Sequence, residues 1–235
     1  MTEFGELRHF LGMRIDYNRS GGTLRMSQES SITKVLNRFG MSECNSTRTL
    51  IEKGLQLPHG GLNAGEPYRE LLGSLMYIML CVRPDVCYPV GYLGRFQQDS
   101  STVHWNALKR VVRYLSGTKT LCLEYQRNSE AEALVGFADA DWAADLQDRK
   151  SVSRFVSKVY GCTVSWSSKK QSTVSLSSSE AKYVIICAAD LHVAAKPVTI
   201  FEDNRPLPFP IDIGSGGGPL SDERLQQIQP MDPSY

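Results

Sequence analysis

Apolar positions recur every second residue near the start of this chain and again from residue 121, and every third or fourth residue between them. The first stretch, "GELRHFLGMRIDYNRSGGTLRMSQ", alternates and predicts two short strands turning at Ser20-Gly21-Gly22. In "ESSITKVLNRFGM" the period lengthens, and Ile32, Val35, Leu36 and Phe39 fall on one helical face with Gly40 as the stop. Residues 55–66, "LQLPHGGLNAGE", form a Pro/Gly linker. "PYRELLGSLMYIML" opens on Pro67 at a first helical position, carries a broad apolar face, and is broken by Arg83-Pro84-Asp85. The next helix, "STVHWNALKRVVRYLSGT", is capped by Ser101 or Thr102 and ended by Gly117, with Trp105, Leu108, Val112 and Leu115 on one face. Lys109, Arg110 and Arg113 lie on its polar side, where they are either a solvated face or contacts for a nucleic-acid backbone.

From residue 121 the period returns to two. "LCLEYQR", "ALVGFAD", "SRFVSKVY" and "CTVSWSSKK" are strand candidates, with Tyr160-Gly161 as a hairpin turn. "SSSEAKYVIICAADLHVAA" reads as a helix and "KPVTIFED" as a further strand. Several strands, then a helix, then a strand predict a mixed α/β (α+β) sheet rather than a sandwich. Beyond Asn204 the chain holds six of its 11 prolines and a glycine run, a composition that favours disorder. No internal repeat is visible.

Composition narrows the function more than the fold. A formal net charge of +1 over 235 residues gives no global attraction to nucleic acid or membrane, so any nucleic-acid footprint has to be local. The six cysteines (Cys44, Cys81, Cys87, Cys122, Cys162, Cys187) form no CxxC pair and the four histidines lie apart from them, which argues against zinc and for free thiols in a reducing compartment. The polar start "MTEFGELRHF" lacks a signal-peptide core, and "LLGSLMYIML" is about half of a membrane span. These features predict an intracellular soluble protein.

The candidate chemistry lies in the acids. Asp139 ends a strand, with Asp141 and Asp145 close behind it; Glu180 begins a helix; Asp203 ends a second strand. Carboxylates at strand ends and a helix start can gather at one sheet edge, where mutual repulsion calls for a cation. Oxygen ligands favour Mg²⁺ or Mn²⁺, and two such ions about 3.5–4 Å apart suit in-line hydrolysis of a phosphodiester. Each acid also has a plain structural role available. Ser177-x-x-Glu180 is a capping box, and Asp139, Asp141 and Asp145 suit a turn.

Three segments taken together, "FADADWAADLQDRKSVSRFV", "GCTVSWSSKKQSTVSLSSSEAKYV" and "PVTIFEDN", resemble the RNase H domain of copia-type LTR retrotransposon polyproteins. Upstream, "MTEFGELRHFLGMRI" resembles the end of the reverse transcriptase of that family. "YRELLGSLMYIMLCVRPDVCYPVGYLGRF" and "HWNALKRVVRYLSGT" resemble the region joining the polymerase to RNase H. The resemblance implies a reverse-transcriptase remnant over 1–54, a linker and helical connection over 55–120, an RNase H-like domain over 121–204 and a disordered tail over 205–235. It implies cleavage of the RNA strand of an RNA–DNA hybrid with two Mg²⁺ or Mn²⁺ ions, without a small-molecule cofactor or membrane partner. Asp139, Glu180 and Asp203 would be the three metal-binding acids. Lys169, Lys170 and Gln171 would lie near the phosphates of the hybrid. Trp142 and the Asp148-Arg149-Lys150-Ser151 loop would be structural or near substrate.

Departures from the family pattern pull the other way. No Tyr-x-Asp-Asp polymerase motif occurs in the chain, so no DNA synthesis is expected of it. The connection from Glu180 to Pro197 is short, and the segment expected to carry a fourth acid reads "RPLPFPIDIGSGGG", in which Asp212 is the nearest counterpart. The RNase H-like domain is therefore expected to be C-terminally incomplete. Two function classes stand: a Mg²⁺-dependent hybrid nuclease, or a non-catalytic relic of one that binds nucleic acid weakly.

Overall fold

A computed structural model describes residues 6–52, 55, 57–58, 65–128, 130–143, 148–188, 199–202 and 205–206. Asp145, Asp203 and Asp212 lie outside the described residues, as does the remainder of the chain beyond Pro206. The first sheet is antiparallel, with β1 (His9–Phe10), β2 (Met13–Asn18), β3 (Thr23–Ser27) and β4 (Cys122–Gln126) in that order. The first of the two expected strands is itself folded back, because Leu11 and Gly12 both take positive φ and make a tight turn between β1 and β2. Asn18 holds the next turn by accepting the Gly21 N–H at 2.9 Å on its side-chain oxygen, while Gly22 supplies the left-handed residue at φ +63°. Alternation then sorts the sheet. Ile15, Met26 and Leu123 align on one face, and Arg25 meets Glu124 at 2.9 Å on the other. The strand "LCLEYQR" thus completes the first sheet through its pairing with β3 and does not join the strands that follow it.

The middle of the chain is helical: α1 (Glu29–Arg38), α2 (Tyr68–Cys81), α3 (Cys87–Leu93) and α4 (Thr102–Gly117). The expected faces close on one another. Ile32 and Leu36 of α1, Leu71, Leu72, Leu75 and Ile78 of α2, and Leu108, Val112 and Leu115 of α4 share one buried cluster. Ser101 is the N-cap of α4, and its backbone N–H donates to His104 Nδ1 at 3.0 Å. The break after α2 is a single 3₁₀ turn, Pro84–Val86, that leads into α3. Periodicity does not mark α3, because Pro89 and Gly91 interrupt its apolar run. Arg83 is only 2% exposed. Its guanidinium donates to both Asp85 oxygens at 2.9 and 2.7 Å and to the Thr118 carbonyl at 3.0 Å, tying the break to the end of α4. Burial pushes the Asp85 carboxyl up, but hydrogen bonds and charge from Arg83, with a hydrogen bond from Tyr114, outweigh it and hold Asp85 below its ordinary value.

The second sheet runs β7 (Cys162–Lys170), β6 (Val152–Val159), β5 (Leu134–Asp141), β8 (Thr199–Glu202) and β9 (Arg205–Pro206). β6 runs antiparallel to both β5 and β7, β8 is parallel to β5, and α5 (Ser178–Ala188) precedes β8. Tyr160 and Gly161 form the predicted hairpin turn, both at positive φ. β9, at the head of the segment expected to be disordered, pairs with β8. The sheet is therefore a mixed α/β layer. It is joined to the helices through Trp166, whose indole N–H donates to the Met79 carbonyl at 3.1 Å, and through Gly91, where a Cβ would stand 3.2 Å from the Ser168 carbonyl. Among the described residues no helix is long and apolar enough to cross a membrane.

Candidate active site

The site grows from the alternation of β5. Ala138 and Ala140 are buried on one face, so Asp139 and Asp141 project together from the other. Successive same-face residues stand about 6.6 Å apart along a strand, close enough for two carboxylates to repel one another. The register sets Arg154 of β6 directly opposite Asp139. Its two terminal nitrogens reach one oxygen of each acid, Nη1 to Asp139 Oδ2 at 3.5 Å and Nη2 to Asp141 Oδ2 at 3.4 Å. Tyr88 of α3 lies under the guanidinium, its ring centre 4.7 Å from Cζ, and stacks on Tyr92 at 6.1 Å. The cation is thus more enclosed (37% exposed) than either carboxylate it bridges (56% and 55%).

α5 packs on the opposite face. Ala181 is fully buried, and Gln171 links the layers by donating Nε2 to Ser153 Oγ and to the Ala181 carbonyl, both at 2.9 Å. Ser153 faces the same way as Ala140, its register partner. Gln171 also accepts from Ser175 Oγ at 2.9 Å. This residue, expected near phosphates, is instead buried between sheet and helix. Glu180 occupies the first turn of α5 and takes its plain role there. Its carboxylate accepts the Leu176 N–H at 2.6 Å, while its own N–H donates to Ser177 Oγ at 3.1 Å. Asp139 and Glu180 therefore belong to opposite layers, each with a partner. Among the described residues no group of three His, Cys, Asp or Glu side chains gathers to hold a metal ion. Asp139 and Glu180, as placed, do not by themselves form a divalent-cation site.

Nearby residues shape the loop. Trp142 donates its indole N–H to the Ser175 carbonyl at 3.0 Å, below the entry to α5. Asp148 accepts the Lys150 N–H at 3.2 Å and meets Lys170 Nζ at 2.8 Å. Buried Ser151 accepts the Ala143 N–H at 3.2 Å. Lys169 stays exposed near the end of β7. The basic side of α4 is occupied locally. Arg110 donates to Glu52 at 2.8 Å and Thr49 at 2.7 Å, Arg113 donates to the Asn45 carbonyl at 2.7 Å, and Lys109 lies 5.7 Å from the Trp105 ring centre. Arg110 and Arg113 clamp the segment around residues 45–52 onto α4. Sequence reasoning missed Arg154 and Tyr88. An arginine among the apolar and small residues of the first half of β6 was the available signal, but its partners depend on register.

Relatives identify the class of protein as retroelement-derived. The chain is 37% identical over 193 residues to a retrovirus-related Pol polyprotein from transposon TNT 1-94 of Nicotiana tabacum, a match covering 78% of the chain and 14% of that polyprotein. It is 33% identical over 196 residues to an uncharacterized mitochondrial protein of Arabidopsis thaliana, covering 81% of the chain and 80% of that protein. It is 48% identical over 123 residues to secreted RxLR effector protein 161 of Plasmopara viticola, covering 52% of the chain and 86% of that protein. The chain belongs to the copia-type retrotransposon Pol polyprotein family. No family model matches the chain. No solved structure matches it.

Proposed function

We propose that the second sheet is an RNase H-like domain that binds RNA–DNA hybrids, and that the chain cleaves their RNA strand slowly or not at all. The hybrid reading is supported by strand order: three antiparallel strands, β7-β6-β5, with α5 leading to a parallel β8 beside an acid-bearing β5. A hybrid is read through its shape, phosphates and 2′-hydroxyls, so sequence preference is weak. Lys169, Lys170 and Lys109 supply local charge on a chain of net charge +1, which makes binding weak and salt-sensitive.

The observation that carries the loss of catalysis is the commitment of both described acids, Asp139 to Arg154 and Glu180 to the start of α5. Without a gathered carboxylate set the paired stabilisation of attacking and leaving oxygens is forfeited, and each 1.4 kcal/mol so lost costs about tenfold in rate. The test is a labelled-RNA hybrid assay with Mg²⁺ and with Mn²⁺. Expected are trace cleavage at most, greater with Mn²⁺, abolished in Asp139→Asn and Glu180→Gln and retained in Asp212→Asn. Mg²⁺-dependent turnover comparable to a complete RNase H domain overturns the loss of catalysis. Failure to retain hybrid even at low salt overturns the binding role.

A further inference from the structure

We infer that Arg154 is a built-in counter-ion for the acid pair of β5, clamped by Tyr88 of α3, and that it competes with divalent cations for Asp139 and Asp141. The inference rests on the reading of Asp139 as an acid of the site. One planar guanidinium spans both carboxylates, a geometry that a lysine, as a compact point charge, does not reproduce. The cross-strand register fixes where the arginine starts, and the Tyr88 ring fixes where its head ends. Tyr88 is itself set in an aromatic row, stacked on Tyr92, which meets Phe96 edge-on at 5.6 Å. Phe96 is buried at the helical core, 3% exposed. The helical layer therefore reaches the acid pair through four side chains in sequence, Phe96, Tyr92, Tyr88 and Arg154. A divalent ion entering between Asp139 and Asp141 has to displace the guanidinium from both, and its net affinity is lowered by whatever holds the arginine there.

The experiment measures metal binding on the full chain without asking for catalysis. Mn²⁺ is titrated and the free ion read by its electron paramagnetic resonance signal. Tb³⁺ luminescence excited through Trp142, the residue after Asp141, reports the site locally. Coupling between two binding events typically shifts affinities 5–150-fold, and the partial exposure of this ion pair puts the effect near the low end, at about five- to tenfold. Arg154→Gln is expected to tighten Mn²⁺ by that factor, and Tyr88→Ala by a smaller one. Arg154→Gln combined with Asp139→Asn is expected to return to the affinity of the unaltered chain. Unchanged Mn²⁺ affinity in a folded Arg154→Gln chain overturns the inference, and so does a gain that survives Asp139→Asn. If Arg154→Gln does not fold, Tyr88→Ala decides, since Tyr88 is half-exposed and its truncation leaves the buried cluster intact. Absent cleavage in every variant bears only on residual nuclease activity, whereas equal Mn²⁺ affinities refute only the counter-ion.

Discussion

Replacing Gln171 with alanine separates two accounts of that residue. In the structure its amide makes three hydrogen bonds at 2.9 Å, to Ser153, to the Ala181 carbonyl and from Ser175, at a position 6% exposed. Each bond contributes about 0.5–1.5 kcal/mol net, and the buried Ser175 hydroxyl left without its acceptor adds to the loss. The sum is about 2–4 kcal/mol, a factor of about 30–1,000 in the folding equilibrium. At about 2–4 °C per kcal/mol for a chain of this size, the melting midpoint falls by roughly 4–16 °C. Urea unfolding followed by far-ultraviolet circular dichroism measures the first quantity. Amide exchange over Ser178–Ala188 shows whether α5 is the element released. If Gln171 instead touched phosphate, its removal would leave stability alone and weaken hybrid binding without changing the salt slope, because a neutral amide releases no counterion. A variant of unchanged stability that binds hybrid more weakly refutes the structural account.

Three further outcomes follow from the helical layer. Asp85 is held below its ordinary value when folded, so the stability it contributes is complete above its unfolded pKa and is lost as pH falls through the folded one. Asp85→Asn should flatten that acid limb in urea midpoints taken from about pH 2 to 6. It should also cost about 2–3 kcal/mol at neutral pH, because buried Arg83 loses its counter-charge. Gly91→Val should destabilise by about 1–3 kcal/mol through overpacking against the Ser168 carbonyl, read as a lower melting midpoint. Arg110→Ala should cost about 1 kcal/mol, its partner Glu52 being mostly exposed although Arg110 itself is largely covered, and speed proteolysis between residues 45 and 52.

The elements legible in the sequence are those whose own periodicity fixes them. α1, α2 and α4 are readable because the spacing that marks each one is local. In α1, Ile32 and Leu36 stand four residues apart; in α4, Leu108, Val112 and Leu115 recur at helical intervals, and all of these are buried. Partnership is not local. Alternation in "LCLEYQR" shows that it is a strand, and nothing in the alternation says that its neighbour is Thr23–Ser27. The site divides the same way. Asp139 stands out in the sequence as an acid near a strand end, and Glu180 as the acid of a capping box; β5 and the first turn of α5 carry them. That Asp139 faces Arg154 while Ala138 and Ala140 face α5 follows from the register of β5 against β6, which no local spacing within either strand specifies.

The return of β4 to the first sheet has a consequence for biosynthesis. Arg25 and Glu124 are paired across 99 positions of sequence, and every helix of the middle layer is made in between. While a ribosome is still translating that interval, β3 offers an uncovered edge, with Leu24 and Met26 beside it waiting for Tyr125 and Leu123. Long loop closures are slow relative to local helix formation, so nascent chains should hold folded helices beside an unfinished sheet. A product released before Cys122 would keep that edge permanently and be prone to self-association. The dependence runs from the late-made β4 back to β3, so the first sheet is completed only after the helices that lie between them in sequence.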